Sequence, residues 1–393
     1  PMNYKEIYNQ WKAALEGTPY AEEMAQIGAD EKLMEDSFYQ DLEFGTAGMR
    51  GVIGLGTNRM NIFTVKKATQ GLANYINEIG GAERGVAIAY DSRKYSDVFA
   101  KETALVLCQN GIKVFLYDCL HSVPQLSYTI LKLNCIAGVV ITASHNPKIY
   151  NGYKAYGEDG GQLAVEGAKI VTGYIKAIDD VFAVKAMDEK EALEKGLLQY
   201  IGDDVDQLYY KDVLSLVINK QAIENQKDKL SIVYTPLHGS GNKPVRHVLG
   251  ELGISKLAVA KEQEMPDPEF PTVSAPNPEQ PDAFRLAIPL ANEVGANMIL
   301  GTDPDCDRLG VVVRDHNNEF KVLTGNQIGC LLLDYILSQK QSSFQGDEFV
   351  VKSIVSTPMA VTIANHYGVE LRDVLTGFKF IAEQIKLSEE SGK

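Results

Sequence analysis

The sequence has little positive charge and no long apolar run. Its 393 residues include 38 lysines and arginines against 52 aspartates and glutamates, for a formal net charge of −14. Because an acidic chain repels polyanions, we expect neither nucleic acid nor an anionic membrane as a partner. The most apolar stretch, Cys135 to Ala143, is as long as a strand and falls short of the ~18 residues that a membrane-spanning helix needs.

The sequence also lacks the marks of a secreted or disulfide-rich protein. Its first residues contain no apolar signal segment, so a cytoplasmic protein is expected. The cysteines are odd in number and form no C-x-x-C pair, which argues against a disulfide framework and a zinc cluster. Buried free thiols in a reducing compartment are the simplest interpretation. These cysteines are Cys108, Cys119, Cys135, Cys306 and Cys330.

Two further signatures are missing. No Walker motif occurs, and no G-x-G-x-x-G opens a helix after the first strand, so nucleotide binding is not supported. The six histidines lie far apart and form no H-x-x-x-H pair, so the usual zinc sites are absent. Nothing in the sequence indicates an oligomeric state.

What the sequence does have is an alternation of apolar strands and helices. Such alternation predicts parallel sheets covered by helices on both faces. Ser96 is the expected N-cap of the helix after the first strand. The predicted strands cover residues 86–90, 114–117, 137–142, 230–235, 257–260, 298–301, 349–355 and 369–371.

The expected fold class is α/β, with three tandem α/β domains whose mixed or parallel sheets are covered by helices. The predicted organisation is an N-terminal helical extension at 1–40, followed by domains at 41–205, 206–309 and 310–393. In such folds ligands bind beyond the carboxyl ends of the strands, so polar segments in those places are the candidates for function.

The first candidate segment is TASHNP at 142–147, directly after a strand. A simple turn is the alternative interpretation, because serine and Asn-Pro favour turns. Ser144 is followed by NGYK at 151–154, interpreted as a turn that carries the cation Lys154. A hydroxyl nucleophile near a lysine suits phosphoryl transfer, in which positive charge must balance the phosphate oxygens.

The second candidate segment is DPDCDR at 303–308, also directly after a strand. Carboxylates at alternate positions converge on one side of a tight loop, as a hard divalent cation requires. A calcium EF-hand would need glycine at the sixth position and glutamate at the twelfth, where this chain has Arg308 and Arg314. A solvated acidic turn remains the alternative. Three carboxylates leave room on the metal for a substrate oxygen, as magnesium prefers.

Two glycine-rich segments are weaker signals. GTAGMRG at 45–51 permits close approach of a ligand, and Arg50 is a candidate for phosphate binding. GSGN at 239–242 follows another predicted strand. A plain loop explains either segment equally well.

In combination and in order, these segments resemble the α-D-phosphohexomutase superfamily, and within it the bacterial phosphoglucomutase/phosphomannomutase branch. The resemblance covers nearly the whole chain, and TASHNP and DPDCDR are its most specific parts. The matching segments are GTAGMRG at 45–51, AYDSRKYS at 89–96, TASHNP at 142–147, NGYK at 151–154, YTPLHGSG at 234–241, DPDCDR at 303–308 and TGFKF at 376–380.

The resemblance implies a magnesium-dependent isomerase that moves phosphate between the 1- and 6-hydroxyls of glucose through glucose 1,6-bisphosphate. Ser144 would carry the phosphoryl group, with Lys154 assisting proton transfer. Asp303, Asp305 and Asp307 would bind Mg2+, with an oxygen of phosphorylated Ser144 completing the site.

The resemblance also implies residues that bind the substrate. Arg50, His145 and Arg308 would contact phosphate. Thr376, Gly377 and Phe378 would belong to a loop that touches the sugar, with Lys379 as a second acid/base candidate.

One departure from the family pattern matters. Family members have four domains, with a sugar-binding loop after TGFKF and a phosphate clamp in the fourth domain. Glu389 to Gly392 superficially matches that loop but is expected to end a helix. From this we expect a C-terminally truncated chain that is inactive by itself. Phosphomannomutase, phosphopentomutase and a catalytically silent binding relative are the alternatives, although the intact set of site residues argues against the last.

Overall fold

The computed structural model describes residues 2–46 and 48–392, which form two compact units. The first unit ends at Gly202 and the second begins at Asp203. No helix in these described stretches is long and apolar enough to cross a membrane.

The first unit alternates helices and strands after three N-terminal helices. A short 3-10 helix, Val181–Ala183, lies between α7 and α8. The elements are α1 (Tyr4–Ala14), α2 (Ala21–Gly28), α3 (Glu31–Phe38), β1 (Gly48–Val52), α4 (Ile62–Glu78), β2 (Val86–Tyr90), α5 (Ser96–Gln109), β3 (Val114–Tyr117), α6 (Val123–Lys132), β4 (Ala137–Ile141), β5 (Tyr150–Gly157), α7 (Val165–Lys176), α8 (Glu189–Glu194) and β6 (Leu198–Ile201).

The first unit contains a six-stranded mixed sheet in the order β1-β5-β4-β2-β3-β6. Strands β4, β2 and β3 run parallel, as the apolar runs predict. The strand β6, which was not predicted, is parallel to β3, whereas β5 is antiparallel to both β4 and β1. Every residue of β3 and β4 is buried, because helices cover both faces of this part of the sheet.

Two local predictions fail in this unit, and one alternative that the sequence left open does not hold. The segment Asn151 to Lys154 is part of β5 rather than a turn, and Arg50, for which a plain loop was an alternative, lies in β1. Pairing with neighbouring strands overrides the turn preference of Asn-Gly here. Ser96 does not cap α5: the N-cap is Tyr95, whose side chain makes no capping bond.

The N-terminal helices α1 to α3 pack through an aromatic cluster. Trp11 in α1 meets Phe38, Phe63 and Phe182 edge-to-face, with ring centroids 5.5, 5.6 and 5.1 Å apart. Phe63 belongs to α4, which also packs beneath the sheet. Trp11 therefore packs the helical extension predicted for 1–40 against the α/β core.

The second unit has further strands and helices and two sheets. Short 3-10 helices cover Lys261–Gln263, Pro281–Phe284 and Gln341–Ser343. The elements are α9 (Asp203–Ser215), α10 (Lys220–Gln226), β7 (Ser231–Thr235), α11 (Asn242–Glu251), β8 (Lys256–Val259), α12 (Ala287–Val294), β9 (Met298–Thr302), β10 (Leu309–Arg314), β11 (Phe320–Val322), α13 (Gly325–Lys340), β12 (Phe349–Ser353), α14 (Met359–His366), β13 (Glu370–Val374) and α15 (Phe378–Glu390).

The larger sheet of this unit has the order β11-β10-β9-β7-β8, and β12 pairs with β13 in a parallel two-stranded sheet. The antiparallel strands β10 and β11 were not expected from the sequence. The expected α/β class with mixed sheets covered by helices is confirmed. The predicted domain boundaries remain predictions.

A core substitution tests how firmly the N-terminal helices are held. Replacing Trp11, which is buried, by alanine removes contacts with three rings and should lower the free energy of unfolding by about 3–5 kcal/mol. Urea denaturation followed by circular dichroism measures the change. Tyr39→Ala, at an exposed aromatic residue just after α3, is the control and should shift stability by less than about 0.5 kcal/mol. Equal effects of the two substitutions would contradict the packing described here.

Candidate active site

Ser144 lies in the loop that joins β4 to β5, which we call the serine loop (residues 142–150). Its side chain is buried and its backbone has φ +53°, in the left-handed region that a residue with a Cβ seldom occupies. The Ser144 N–H donates to Thr142 Oγ1 at 2.9 Å. The Ser144 Oγ lies 3.2 Å from His145 Nδ1, within hydrogen-bond reach. A hydroxyl in a strained, supported loop is the arrangement expected of a nucleophile.

Arg50 reaches the serine loop from the edge of the sheet. Its position in β1 is opposite Gly152 of β5, and its Nη1 donates to Asn146 Oδ1 at 2.7 Å. A Cβ at Gly152 would lie 2.5 Å from Thr142 O, so the strand can approach the loop this closely only with glycine there. The structure thus brings Arg50 and the serine loop together. Ala47, in the same glycine-rich segment, lies outside the described residues.

Lys154 is on the strand that follows the serine loop. It is half-buried and opposite Val140 of β4 and Gly48 of β1. Its neighbour Tyr153 points into the core, where its hydroxyl lies 3.1 Å from Thr69 Oγ1. Because side chains alternate along a strand, Lys154 faces away from that core. Its catalytic role remains a prediction.

A buried ion pair, which the sequence alone did not single out, lies against the serine loop. Asp91 directly follows β2, and its Oδ2 is 3.4 Å from Arg93 Nε, with both side chains fully buried. Asp91 also accepts hydrogen bonds from Thr142 Oγ1 at 2.6 Å and from Ser96 Oγ at 2.8 Å. Burial raises the pKa of Asp91, while Arg93 and these hydrogen bonds oppose the rise. The sequence signals were the position of Asp91 at the end of a strand and the presence of both residues in AYDSRKYS at 89–96, one of the segments that carry the family resemblance.

The second unit holds the metal-loop candidate, residues 303–308, between β9 and β10. Asp303, Asp305 and Asp307 each offer a carboxylate oxygen, and these atoms lie within 4.8 Å of one another. Asp303 and Asp305 are buried and Asp307 is exposed. The N–H groups of Asp307 and Arg308 donate to Asp303 Oδ1 at 3.2 and 3.1 Å, which fixes the loop around that carboxylate.

The chemistry of this loop fits a hard divalent cation. Three carboxylates so close together repel one another, and burial of two of them increases the cost of their charge. Arg308 supplies some positive charge, with its Nε 4.0 Å from Asp303 Oδ2, but its Nη1 lies closer to Glu279, at 3.0 Å. Mg2+ prefers oxygen ligands, which the three carboxylates supply, and the exposed Asp307 leaves one side of the loop open to solvent.

The glycine-rich segment at 239–242, ambiguous from sequence, supports the metal loop. The Ser240 N–H and hydroxyl both donate to Pro304 O, at 2.8 and 2.7 Å. A Cβ at Gly239 would lie 2.5 Å from Pro304 Cα, so this close packing requires glycine. Nearby, burial lowers the pKa of His238, whose Nε2 is 2.9 Å from Thr272 Oγ1. The segment therefore has a structural role next to the aspartates.

The segment expected to touch a sugar lies at the start of α15. Gly377 precedes the helix with φ +132°, and Phe378 is exposed in the first helical turn. The Nζ of Lys379 lies 4.9 Å from the Phe380 ring centroid. The helix continues to Glu390, so Glu389 to Gly392 form its end, as expected.

Models of one family match most of the chain. Domain I of phosphoglucomutase/phosphomannomutase matches residues 41–181, domain II matches 207–317 and domain III matches 324–392. The serine loop falls within the first match and the metal loop within the second.

Curated relatives and solved structures agree with these matches. A phosphoglucomutase of Staphylococcus saprophyticus is 40% identical over 345 residues, which are 88% of this chain and 61% of the relative. A phosphoglucomutase of Staphylococcus aureus is 38% identical over 89% of this chain and 62% of the relative. The crystal structure of a putative phosphomannomutase from Thermus thermophilus matches with a TM-score of 0.72 and 23% identity, over 89% of this chain and 72% of that chain.

The structural likeness alone concerns the fold, and this chain spans only about three fifths of the length of the curated relatives that it matches. The three successive domain models and the sequence identity over most of the chain identify the family. The chain belongs to the phosphoglucomutase/phosphomannomutase family of the α-D-phosphohexomutase superfamily.

Proposed function

We propose that this protein interconverts glucose 1-phosphate and glucose 6-phosphate, with Ser144 as the phosphoryl carrier and glucose 1,6-bisphosphate as the intermediate. The observation that carries the proposal is the buried Ser144 in a left-handed conformation, with His145 Nδ1 3.2 Å from its hydroxyl. The name phosphoglucomutase, carried by relatives at 38–40% identity, favours glucose as the sugar.

The serine loop can supply the nucleophile and the positive charge that the transfer needs. As Ser144 Oγ attacks phosphorus, the bond between phosphorus and the sugar oxygen breaks, and that oxygen leaves as a hydroxyl by taking up a proton. His145 Nδ1, in the neutral tautomer protonated on Nε2, is placed to accept the Ser144 hydroxyl proton. Arg50, tied to Asn146, brings a guanidinium to the same loop, where it would bind phosphate oxygens. Lys154, on the adjoining strand, is the residue that the family resemblance gives for assisting proton transfer at Ser144, and the same resemblance gives His145 a contact with phosphate. Phosphoryl transfer depends mainly on such positioning and charge stabilisation.

Asp303, Asp305 and Asp307 would hold the Mg2+ ion. When bound, Mg2+ neutralises negative charge on the transferring phosphoryl group. We further propose that Arg308 contacts phosphate. Ser144 lies in the first unit and the aspartates in the second, so each part of the proposal receives its own test.

The segment from Thr376 to Lys379 is our candidate for sugar contact, with Lys379 as a further acid/base group. The exposed ring of Phe378 and the N-terminus of α15 can offer an apolar face and backbone N–H groups.

A cytoplasmic location fits the free cysteines, since none of the five forms a disulfide within residues 2–46 and 48–392.

The first test of the proposal is the transfer of phosphate to Ser144. Incubation with glucose 1,6-bisphosphate and Mg2+ should add one phosphate to the peptide that contains Ser144, as measured by mass spectrometry. Ser144→Ala should abolish this addition and lower kcat by at least about 1,000-fold, because the nucleophile is lost. The product of the whole gene is used, since this chain spans 61% of a curated relative.

Ser127→Ala is the matched control for this test. Ser127 lies in the same unit, and its hydroxyl donates to Gly160 O, away from the serine loop. That variant should keep the phosphate and the activity. Mannose 1-phosphate and ribose 1-phosphate are assayed in parallel, and a preference for either would replace glucose as the substrate. Phosphate on another serine, or an active Ser144→Ala variant, would contradict the proposal.

The second test concerns the metal. Asp305→Asn removes the charge of a buried carboxylate and should weaken Mg2+ binding by about 10-fold or more, because a neutral amide attracts the cation less. Mn2+ as a paramagnetic probe, displaced by Mg2+, measures the affinity in the 393-residue chain. Asp282→Asn, at an exposed carboxylate of the same unit, should leave binding unchanged. Unchanged affinity in Asp305→Asn would count against the metal site.

The support under the metal loop can be tested in the same assay. Ser240→Ala removes the hydroxyl that donates to Pro304 O while its backbone N–H bond remains. We expect the affinity for Mn2+ to fall about 10-fold. Removal of a residue that holds metal ligands in place typically lowers metal affinity by about 10–100-fold, and this expectation is at the low end of that range. Ser240→Thr, which keeps the hydroxyl, is the control. Equal affinities of Ser240→Ala and the unaltered chain would show that the hydroxyl does not hold the loop.

A further inference from the structure

We propose that Arg93 is a positioning residue that holds the serine loop in the conformation needed for phosphoryl transfer. It does so by binding four backbone carbonyl groups of that loop, while Asp91 anchors the guanidinium. This inference deepens the proposed function and rests on it.

The contacts of Arg93 span almost the whole serine loop. Its Nη2 donates to Ser144 O at 2.7 Å and to Asn146 O at 2.6 Å. Its Nη1 donates to Pro147 O at 3.0 Å and to Tyr150 O at 3.2 Å. Four carbonyls of the loop therefore bind the one planar guanidinium of Arg93. One of these carbonyls belongs to Ser144, the proposed nucleophile.

Asp91 fixes this guanidinium and links it to the other side of Ser144. Its carboxylate lies 3.4 Å from Arg93 Nε and accepts the hydroxyl of Thr142 at 2.6 Å. That same Thr142 hydroxyl oxygen accepts the Ser144 N–H at 2.9 Å. Ser144 is thus held at its carbonyl by Arg93 and at its N–H by Thr142, and Asp91 joins the two supports.

These two supports explain how Ser144 keeps its φ of +53°. A left-handed conformation at a non-glycine residue persists only where the surroundings determine it strongly. The conformation sets the direction in which the Cβ, and with it the Oγ, leaves the backbone. Displacement of a reacting atom by about 1 Å can cost ~100-fold in rate, so loss of this support should slow the transfer.

Lysine cannot replace arginine in this position. A guanidinium presents several N–H donors in one plane, which here serve four carbonyls while its charge pairs with Asp91, whereas an ammonium offers three donors from one point. Arg93→Lys keeps the buried charge next to Asp91, and so limits the cost of an unpaired ion, but loses most of the carbonyl contacts.

The experiment compares Arg93→Lys with Arg84→Lys. Arg84 is a matched control because it also binds backbone carbonyls in the first unit, at Asn134 and Cys135, away from the serine loop. At saturating glucose 1-phosphate we expect kcat to fall by about 10–100-fold in Arg93→Lys, with KM within about threefold, because positioning affects the transfer more than sugar binding. Arg84→Lys should keep kcat within about twofold.

Hydrogen exchange gives a readout that does not depend on activity. In Arg93→Lys the amides of residues 142–150 should exchange at least about 10-fold faster, while those of α5 and β3 keep their rates. Urea denaturation checks that both variants are folded at the assay temperature. A purely stabilising role would lower the urea midpoint but leave kcat of the folded protein and the local exchange unchanged, and that result would overturn the proposal.

Thr142 provides a second pair of variants if Arg93→Lys does not fold. Thr142→Val keeps the shape of the side chain but removes the hydroxyl between Asp91 and Ser144, and should lower kcat by about 10-fold. Thr142→Ser restores the hydroxyl and should recover most of that loss. Equal kcat values for these two variants would overturn the proposal.

Failure of this inference can be distinguished from failure of the proposed function. If the unaltered protein takes no phosphate on Ser144 while Arg93→Lys still speeds exchange in the serine loop, the proposed function fails and Arg93 is confirmed as the residue that holds the loop. If the unaltered protein is phosphorylated and Arg93→Lys transfers phosphate as fast as Arg84→Lys, the proposed function stands and the inference is wrong.

Discussion

The buried contact between Asp91 and Arg93 is the interaction on which the serine loop depends. A loop that turns a serine into the left-handed region leaves backbone carbonyls directed inward, and each of them needs a donor. Arg93 supplies donors to four carbonyls between residues 144 and 150. A buried guanidinium is stable only beside a carboxylate, which Asp91 provides at 3.4 Å. The conformation of Ser144 therefore depends on residues about fifty positions earlier in the chain.

The metal loop is built on the same plan in the second unit. Each loop connects a strand of the parallel part of its sheet to an antiparallel neighbour, β4 to β5 and β9 to β10. Each contains a non-glycine residue in the left-handed region, Ser144 with φ +53° and Cys306 with φ +55°. Each is supported by the loop after the adjacent parallel strand, which is β2 in one sheet and β7 in the other. The antiparallel strands β5 and β10 thus form the far ends of the serine loop and the metal loop and position the residues that follow these loops.

This plan explains which features the sequence could predict. Apolar runs ending in TASHNP and DPDCDR correctly predicted two loops at strand ends, because burial and turn chemistry act locally. The strand state of Lys154 was missed, since the Asn-Gly before it favours a turn and only pairing with β4 and β1 outweighs that preference. Ser96 was predicted as a cap but donates instead to Asp91. The role of Arg93 was missed, because its partners in the serine loop become visible only when strands β2 and β4 are adjacent.

Arg93, which supports the serine loop, is charged, whereas Ser240, which supports the metal loop, is neutral, and this difference has a physical reason. The serine loop presents carbonyl oxygens to its support, and a cation is the strongest donor available to them. The metal loop presents three carboxylates, and a buried cation behind them would neutralise the charge that should attract Mg2+. Its support is accordingly neutral, through the hydroxyl and N–H of Ser240. Arg308 is 4.0 Å from Asp303 and 3.0 Å from Glu279, so the charge of Glu279 partly offsets that of Arg308 near the aspartates. Glu279 thereby helps to keep the carboxylates of the metal loop available to a divalent ion.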